Sequence, residues 1–136
     1  KIGIPGSSTL YNFARVITKA FGFYFDHCFG FYSNMVRIND SSAGYELFVD
    51  IGEGPLTPHF KGVKKTKVSE AFSNIGIKML FLFDYGDEWQ FIVELREIRE
   101  LLTNESLPAV LESIGKAPMQ YPPCEEENWP KEDETN

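Results

Sequence analysis

Residues 79–95 read MLFLFDYGDEWQFIVEL, two apolar runs separated by Asp84-Tyr85-Gly86-Asp87-Glu88. In the second run Trp89, Phe91, Val93 and Leu95 alternate with mostly polar neighbours, the period-two pattern of a half-buried strand. The first run, Met79 to Phe83, is apolar at every position, as a strand covered on both faces requires. Two such runs joined by a short Gly-containing linker predict a β-hairpin. Gly86 is expected to supply the positive φ of its turn, with Asp side chains accepting backbone N–H groups around it. The hairpin, taken as residues 79–97, is read as the centre of the sheet.

Upstream, Ile2 to Ile4 has the composition of a strand end, broken by Pro5-Gly6. Leu10, Phe13, Ala14, Ile17 and Phe21 recur at helical spacing, behind the N-cap candidates Ser7, Ser8 and Thr9. Gly22 stands where a helix C′ residue belongs, and Phe23 where the following hydrophobic contact would fall. A helix over 8–21 follows. Residues 21–32 hold seven aromatics in twelve. Phe29 and Phe31 alternate with smaller or polar neighbours, predicting a strand over 28–38, with Gly30 marking a bulge or a close backbone approach. Residues 45–51 predict another strand. Residues 52–67, with three Gly, two Pro and four Lys, read as an irregular loop. Short helices are expected near 67–73 and 107–114, the latter framed by Pro108 and Gly115. Lys116 to Cys124 carries three Pro and must run extended.

The 136 residues, 43% hydrophobic and 15% aromatic with 12 Phe, exclude a disordered chain and predict an aromatic core. No apolar run approaches the ~20 residues that span a bilayer. Of the formal charge of −7, residues 125–136 carry −5, leaving −2 for the rest. A nearly neutral body argues against general nucleic-acid binding, which needs a broad basic surface. Cys28 and Cys124 are read as free thiols of a reducing cytosol, with a disulfide between them left open by the sequence, and a cytoplasmic location is expected. The chain begins Lys1-Ile2-Gly3-Ile4 rather than with Met, and a trimmed N-terminus is expected.

Four segments in this order resemble the plasmid pRiA4b ORF-3-like family. They are Ile4-Pro5-Gly6 followed by Thr9-Leu10 and a helix ending Ala20-Phe21-Gly22-Phe23; Asp26-His27-Cys28-Phe29-Gly30-Phe31; Leu80 to Trp89, similar to the family's Tyr-Asp-aromatic-Gly-Asp-x-Trp hairpin; and Pro108-Ala109-Val110-Leu111 with Gly115, Ala117-Pro118 and Gln120-Tyr121-Pro122. The hairpin is the specific part. The resemblance implies one α+β domain over 1–124, with a mixed or antiparallel sheet and no established activity. Phe29 stands where many members carry a second His. A preceding strand of Pro-x-Ile-Trp-Arg type, usual in the family, is absent. Some members carry a resolvase label, but the chain shows no serine nucleophile and arginine cluster to support it. Residues 125–136 are read as a disordered acidic tail.

Asp84, Asp87 and Glu88 could form a carboxylate cluster for acid–base work or a hard cation. Turn chemistry explains them more simply. His27, Cys28, His59 and Cys124 match no zinc spacing, and no metal or cofactor is expected. Lys61, Lys64, Lys65 and Lys67 read as a solvated loop rather than a phosphate-binding patch. The leading expectation is a non-enzymatic binding or interaction domain. Its contact groove is lined by Tyr85, Trp89, Phe31 and Tyr121, because the aromatic surplus needs a surface and the Pro-rich segment must lie across one. The alternatives are a hydrolase-type enzyme using Asp84, Asp87 and His27, and a DNA-associated protein. Expected partners are an unidentified ligand or protein, with no nucleic acid and no membrane, and the chain itself a monomer or weak homo-oligomer.

Overall fold

The computed structural model describes residues 1–123; Cys124 and the acidic segment 125–136 lie outside the described residues. The fold is α+β with antiparallel sheets. A four-stranded sheet has the order β3-β2-β4-β5, built from β2 (Phe29–Tyr32), β3 (Gly44–Glu46), β4 (Lys78–Phe83) and β5 (Trp89–Glu94). A small second sheet pairs β1 (Ile2–Gly3) with β6 (Ala109–Val110).

The hairpin forms as its alternation requires. Phe83 pairs with Trp89, Phe81 with Phe91 and Met79 with Val93. On its other edge β4 pairs with β2, setting Phe29 against Phe83 and Phe31 against Phe81. One face of the sheet is thus an aromatic layer, with Phe31 and Phe81 stacked at 4.8 Å between ring centroids.

Helix α1 (Leu10–Ala20) covers that layer. Thr9 rather than Ser7 or Ser8 is its cap: Thr9 Oγ1 accepts the Asn12 N–H at 3.1 Å. Leu10, Phe13, Ala14 and Ile17 are buried, and the large ones each contribute about 1.5–3 kcal/mol relative to exposure. Thr18 is buried among them, its hydroxyl donating to the Ala14 carbonyl at 3.0 Å. The helix ends as its sequence predicts: Gly22 takes φ +73°, and the Phe23 N–H closes on the Thr18 carbonyl at 2.9 Å.

The opposite face of the sheet carries a smaller cluster of Tyr32, Phe60 and Leu82, with Ile38 and Tyr85 packed against it. Gly30 is a site of close approach. A Cβ there would lie 2.6 Å from the hydroxyl of Tyr32, which folds back across it. That hydroxyl donates to the fully buried Glu46 carboxylate and lies 2.5 Å from the Tyr85 hydroxyl. Glu46 also accepts the Leu56 N–H at 2.9 Å, which ties the 52–60 loop to this face.

Several boundaries differ from the sequence reading. The strand expected over 28–38 stops at Tyr32, because the Asn34 carboxamide oxygen accepts the Val36 and Arg37 N–H groups and turns the chain. The strand expected over 45–51 is β3 followed at once by a one-turn helix α2 (Leu47–Asp50). Asp50 at its end accepts the Val63 N–H at 2.7 Å and the Lys64 N–H at 3.2 Å. The short helix near 67–73 is α3 (Val68–Ala71). The helix expected at 107–114 does not form. Its apolar side chains Leu107 and Leu111 close instead over Gly3. Its backbone becomes β6, and the Leu111 N–H donates to the Lys1 carbonyl at 2.7 Å. Among the described residues no helix is long and apolar enough to cross a membrane.

Candidate functional site: a cleft at the hairpin tip

The turn between β4 and β5 is organised by Asp84. Its Oδ1 accepts the Gly86 N–H at 3.0 Å and the Asp87 N–H at 3.2 Å. Its own N–H donates to the Cys28 carbonyl at 2.9 Å, pinning the tip to the segment that leads into β2. The left-handed residues are Asp84 at φ +68° and Glu88 at φ +54°, not Gly86 as the sequence suggested. An Asp in this conformation is stabilised by the local bonds its carboxylate makes. At Gly86 a Cβ would crowd Asp84 Oδ1 at 3.3 Å, so a side chain there would press on the acceptor that builds the turn.

The second oxygen of Asp84 faces His27, with 3.3 Å between Oδ2 and Nε2. The same Nε2 lies 2.9 Å from the Tyr121 hydroxyl. Tyr121 donates in turn to Asp26 Oδ2 at 2.7 Å, so the ring nitrogen between these acceptors carries the proton. The hydrogen bond to Asp26 pushes the Tyr121 phenol up to about 12.

Residues 120–122 are held in place by Gln120, which is buried. Its carboxamide oxygen accepts the Tyr24 N–H at 2.7 Å. Its NH₂ donates to the Tyr24 carbonyl and to Asp26 Oδ1, each at 3.2 Å. The side chain thus mimics a strand partner for Tyr24. Between this strap and the hairpin tip lies an open cleft of about 600 Å³, lined by Asp87, Glu88, Trp89, Gln120, Tyr121 and Pro122. The Trp89 ring packs on Phe23 at 4.9 Å. Its indole N–H is buried, with no hydrogen-bond partner among the described residues.

The sequence-derived candidates divide between three places. Trp89 and Tyr121 share the cleft. Phe31 is fully buried in the aromatic layer under α1 and does not line the cleft. Tyr85 turns to the opposite face, where it packs on Phe48 at 4.7 Å, and burial raises the pKa of its phenol. The groove of four aromatics is therefore not one surface. Asp84 and His27 do meet, while Asp87 lines the cleft. Among the described residues no cluster of His, Cys, Asp and Glu is arranged to hold a metal ion. Of the four lysines, Lys64 lies over the Tyr11 ring at 5.1 Å. His59 is bonded to the Ser41 carbonyl, 2.9 Å away.

Asp26 and Gln120 were not singled out as site residues by the sequence. The available signal was an amide side chain set among Pro118, Pro122 and Pro123, in a segment that must lie across the body.

Among curated proteins none matches the chain. A solved structure that does is the crystal structure of a Methanosarcina mazei Go1 protein of unknown function, MM3350. It is 24% identical, with a TM-score of 0.61 over 79% of this chain and 56% of that one. The similarity is one of fold, and the chain spans little more than half the length of that relative. Residues 1–121 match the model of the plasmid pRiA4b ORF-3-like protein, and the chain belongs to that family.

Proposed function

We propose that this chain is a non-enzymatic binding or interaction domain whose ligand enters the cleft between the hairpin tip and residues 120–122. The observation that carries the reading is the pairing of Trp89 with Tyr121 across an open, largely apolar hollow with polar groups at its rim. That is the make-up of a recognition site, in which aromatic surface gives affinity and a few placed polar groups give orientation. A cytoplasmic location belongs to the same proposal and rests on Cys28 having no disulfide partner among the described residues.

The test is a ligand screen read by thermal shift on the wild type and on Tyr121→Ala. Hits that stabilise the wild type and not the variant support the cleft. Hits indifferent to the substitution move the binding surface elsewhere.

The hydrolase-type reading has one observation in its favour, the 3.3 Å approach of His27 to Asp84. It is weaker because Nε2 is already engaged by the Tyr121 hydroxyl, and Asp84 Oδ1 by two turn N–H groups. With Nε2 and Asp84 taken up by these internal bonds, His27 and Asp84 are not both free to act on one substrate proton.

A further inference from the structure

The acids around the cleft fall into two groups. Asp26 and Asp84 are satisfied internally: Asp26 by Tyr121 and Gln120, Asp84 by the turn and His27. Asp87 and Glu88 are different. Both are exposed and both line the cleft. Among the described residues neither carboxylate has a hydrogen bond or an ion pair, and no Lys or Arg lines the cleft. His27, the basic side chain nearby, directs Nε2 at Asp84 and Tyr121. The hollow therefore combines two uncompensated carboxylates with two aromatic walls, Trp89 and Tyr121. An anion entering it would meet repulsion from the rim and no donor cluster to offset it. A cation would gain from both features, since ring faces attract positive charge and Trp does so most strongly.

On these grounds we infer that the cleft binds an organic cation, a guanidinium group, held between the Trp89 and Tyr121 rings and paired with Asp87 and Glu88. This rests on the cleft reading and narrows it to a ligand class. A free basic amino acid and a basic side chain of a polypeptide present the same chemistry.

The experiment uses the full chain with Trp129→Phe, so that Trp89 is the only tryptophan fluorophore. Four probes are titrated: free arginine, a capped hexapeptide whose one charged residue is Arg, the same hexapeptide with citrulline in its place, and the same with Glu. The expected result is a Trp89 response to the Arg peptide, with affinity at least tenfold lower for the citrulline and Glu peptides. Affinity should also fall at least tenfold in the Asp87→Asn, Glu88→Gln double variant, and weaken as salt rises. A comparable response to free arginine identifies the small molecule as sufficient; a response to the peptide alone identifies the polypeptide source. Equal binding of the citrulline peptide, or binding unchanged in the double variant, overturns the cation and leaves the cleft standing. Silence of Trp89 toward all four probes overturns the cation, and an accompanying failure of the Tyr121→Ala screen removes the cleft as well. Among the described residues the Asp87 and Glu88 side chains make no hydrogen bond or ion pair that holds the turn, and circular dichroism of the double variant verifies that it is folded.

Discussion

His27 Nε2 stands 3.3 Å from Asp84 Oδ2, and the two residues come from different elements 57 positions apart. Asp84 is thus shared between the turn it builds and the histidine it faces, and substitutions separate the two roles. Asp84→Asn keeps an oxygen acceptor for the Gly86 and Asp87 N–H groups and tolerates the left-handed backbone, so we expect a loss of at most about 1 kcal/mol. Asp84→Ala leaves both N–H groups without their acceptor and puts Ala at φ +68°, for a loss of about 2–4 kcal/mol. Urea unfolding of both variants checks the ordering. Equal losses would mean that the charge facing His27, not the turn, is what Asp84 contributes.

Alkaline pH probes the tyrosines. In the folded chain the Tyr121 phenol is raised to about 12 by its bond to Asp26, and those of Tyr32 and Tyr85 are raised further by burial. A raised folded value means the protonated form is preferred in the native state. The stability tied to it is complete below the unfolded value near 10 and declines as pH rises from there through the folded value. We expect stability to fall steadily above pH 10. A tyrosinate absorbance titration should show Tyr121 ionising above the usual phenol range, and Asp26→Asn should bring it back toward 10.

The buried Glu46 gives a third test. Tyr32→Phe removes the hydroxyl that donates to its carboxylate and leaves one buried oxygen short of a partner. A cost of about 1–3 kcal/mol is expected, from the desolvation of that oxygen. Tyr85 loses its hydroxyl partner in the same variant. The check is chemical denaturation beside Tyr85→Phe, which spares the Glu46 bond and should cost less.

How much of this was legible depends on how local the cause is. The hairpin and α1 are written in nearby residues: period-two alternation from Trp89, helical spacing from Leu10, and a Gly at position 22 that ends the helix. The family resemblance rested on the same local patterns. The turn was legible as a turn, but its left-handed residues were not. They are set by what the Asp84 carboxylate accepts, and Gly86 was the easier guess. The segment 107–114 misled because Pro108 and Gly115 frame a helix, while the partner that makes it a strand, Ile2–Gly3, lies more than a hundred residues earlier. The site shows the same division. Trp89 and Asp87 could be assigned from the hairpin alone. The meeting of Tyr121 with His27 and of Gln120 with Tyr24 spans 94 and 96 positions, which no local pattern encodes.

Phe31 and Tyr121 give the sharpest contrast, because both were read from sequence as lining one groove. Phe31 is fully buried and touches Phe13, Phe72 and Phe81 by ring contacts. Phe31→Ala removes a large ring from a packed layer and should cost about 3–5 kcal/mol, with the lost transfer energy and the cavity both contributing. Tyr121 is 48% exposed, and its hydroxyl contacts are with the partly exposed Asp26 and His27. Tyr121→Ala should therefore cost little in stability, about 1 kcal/mol or less for a surface substitution. If the cleft is the binding surface, binding measured on folded protein divides the pair the other way. Phe31→Ala, studied at a temperature where it remains native, should keep its affinity, and Tyr121→Ala should lose it. A Phe31→Ala variant that is as stable as wild type would mean the ring is not packed as described, and the aromatic layer that orients Trp89 would have to be rebuilt.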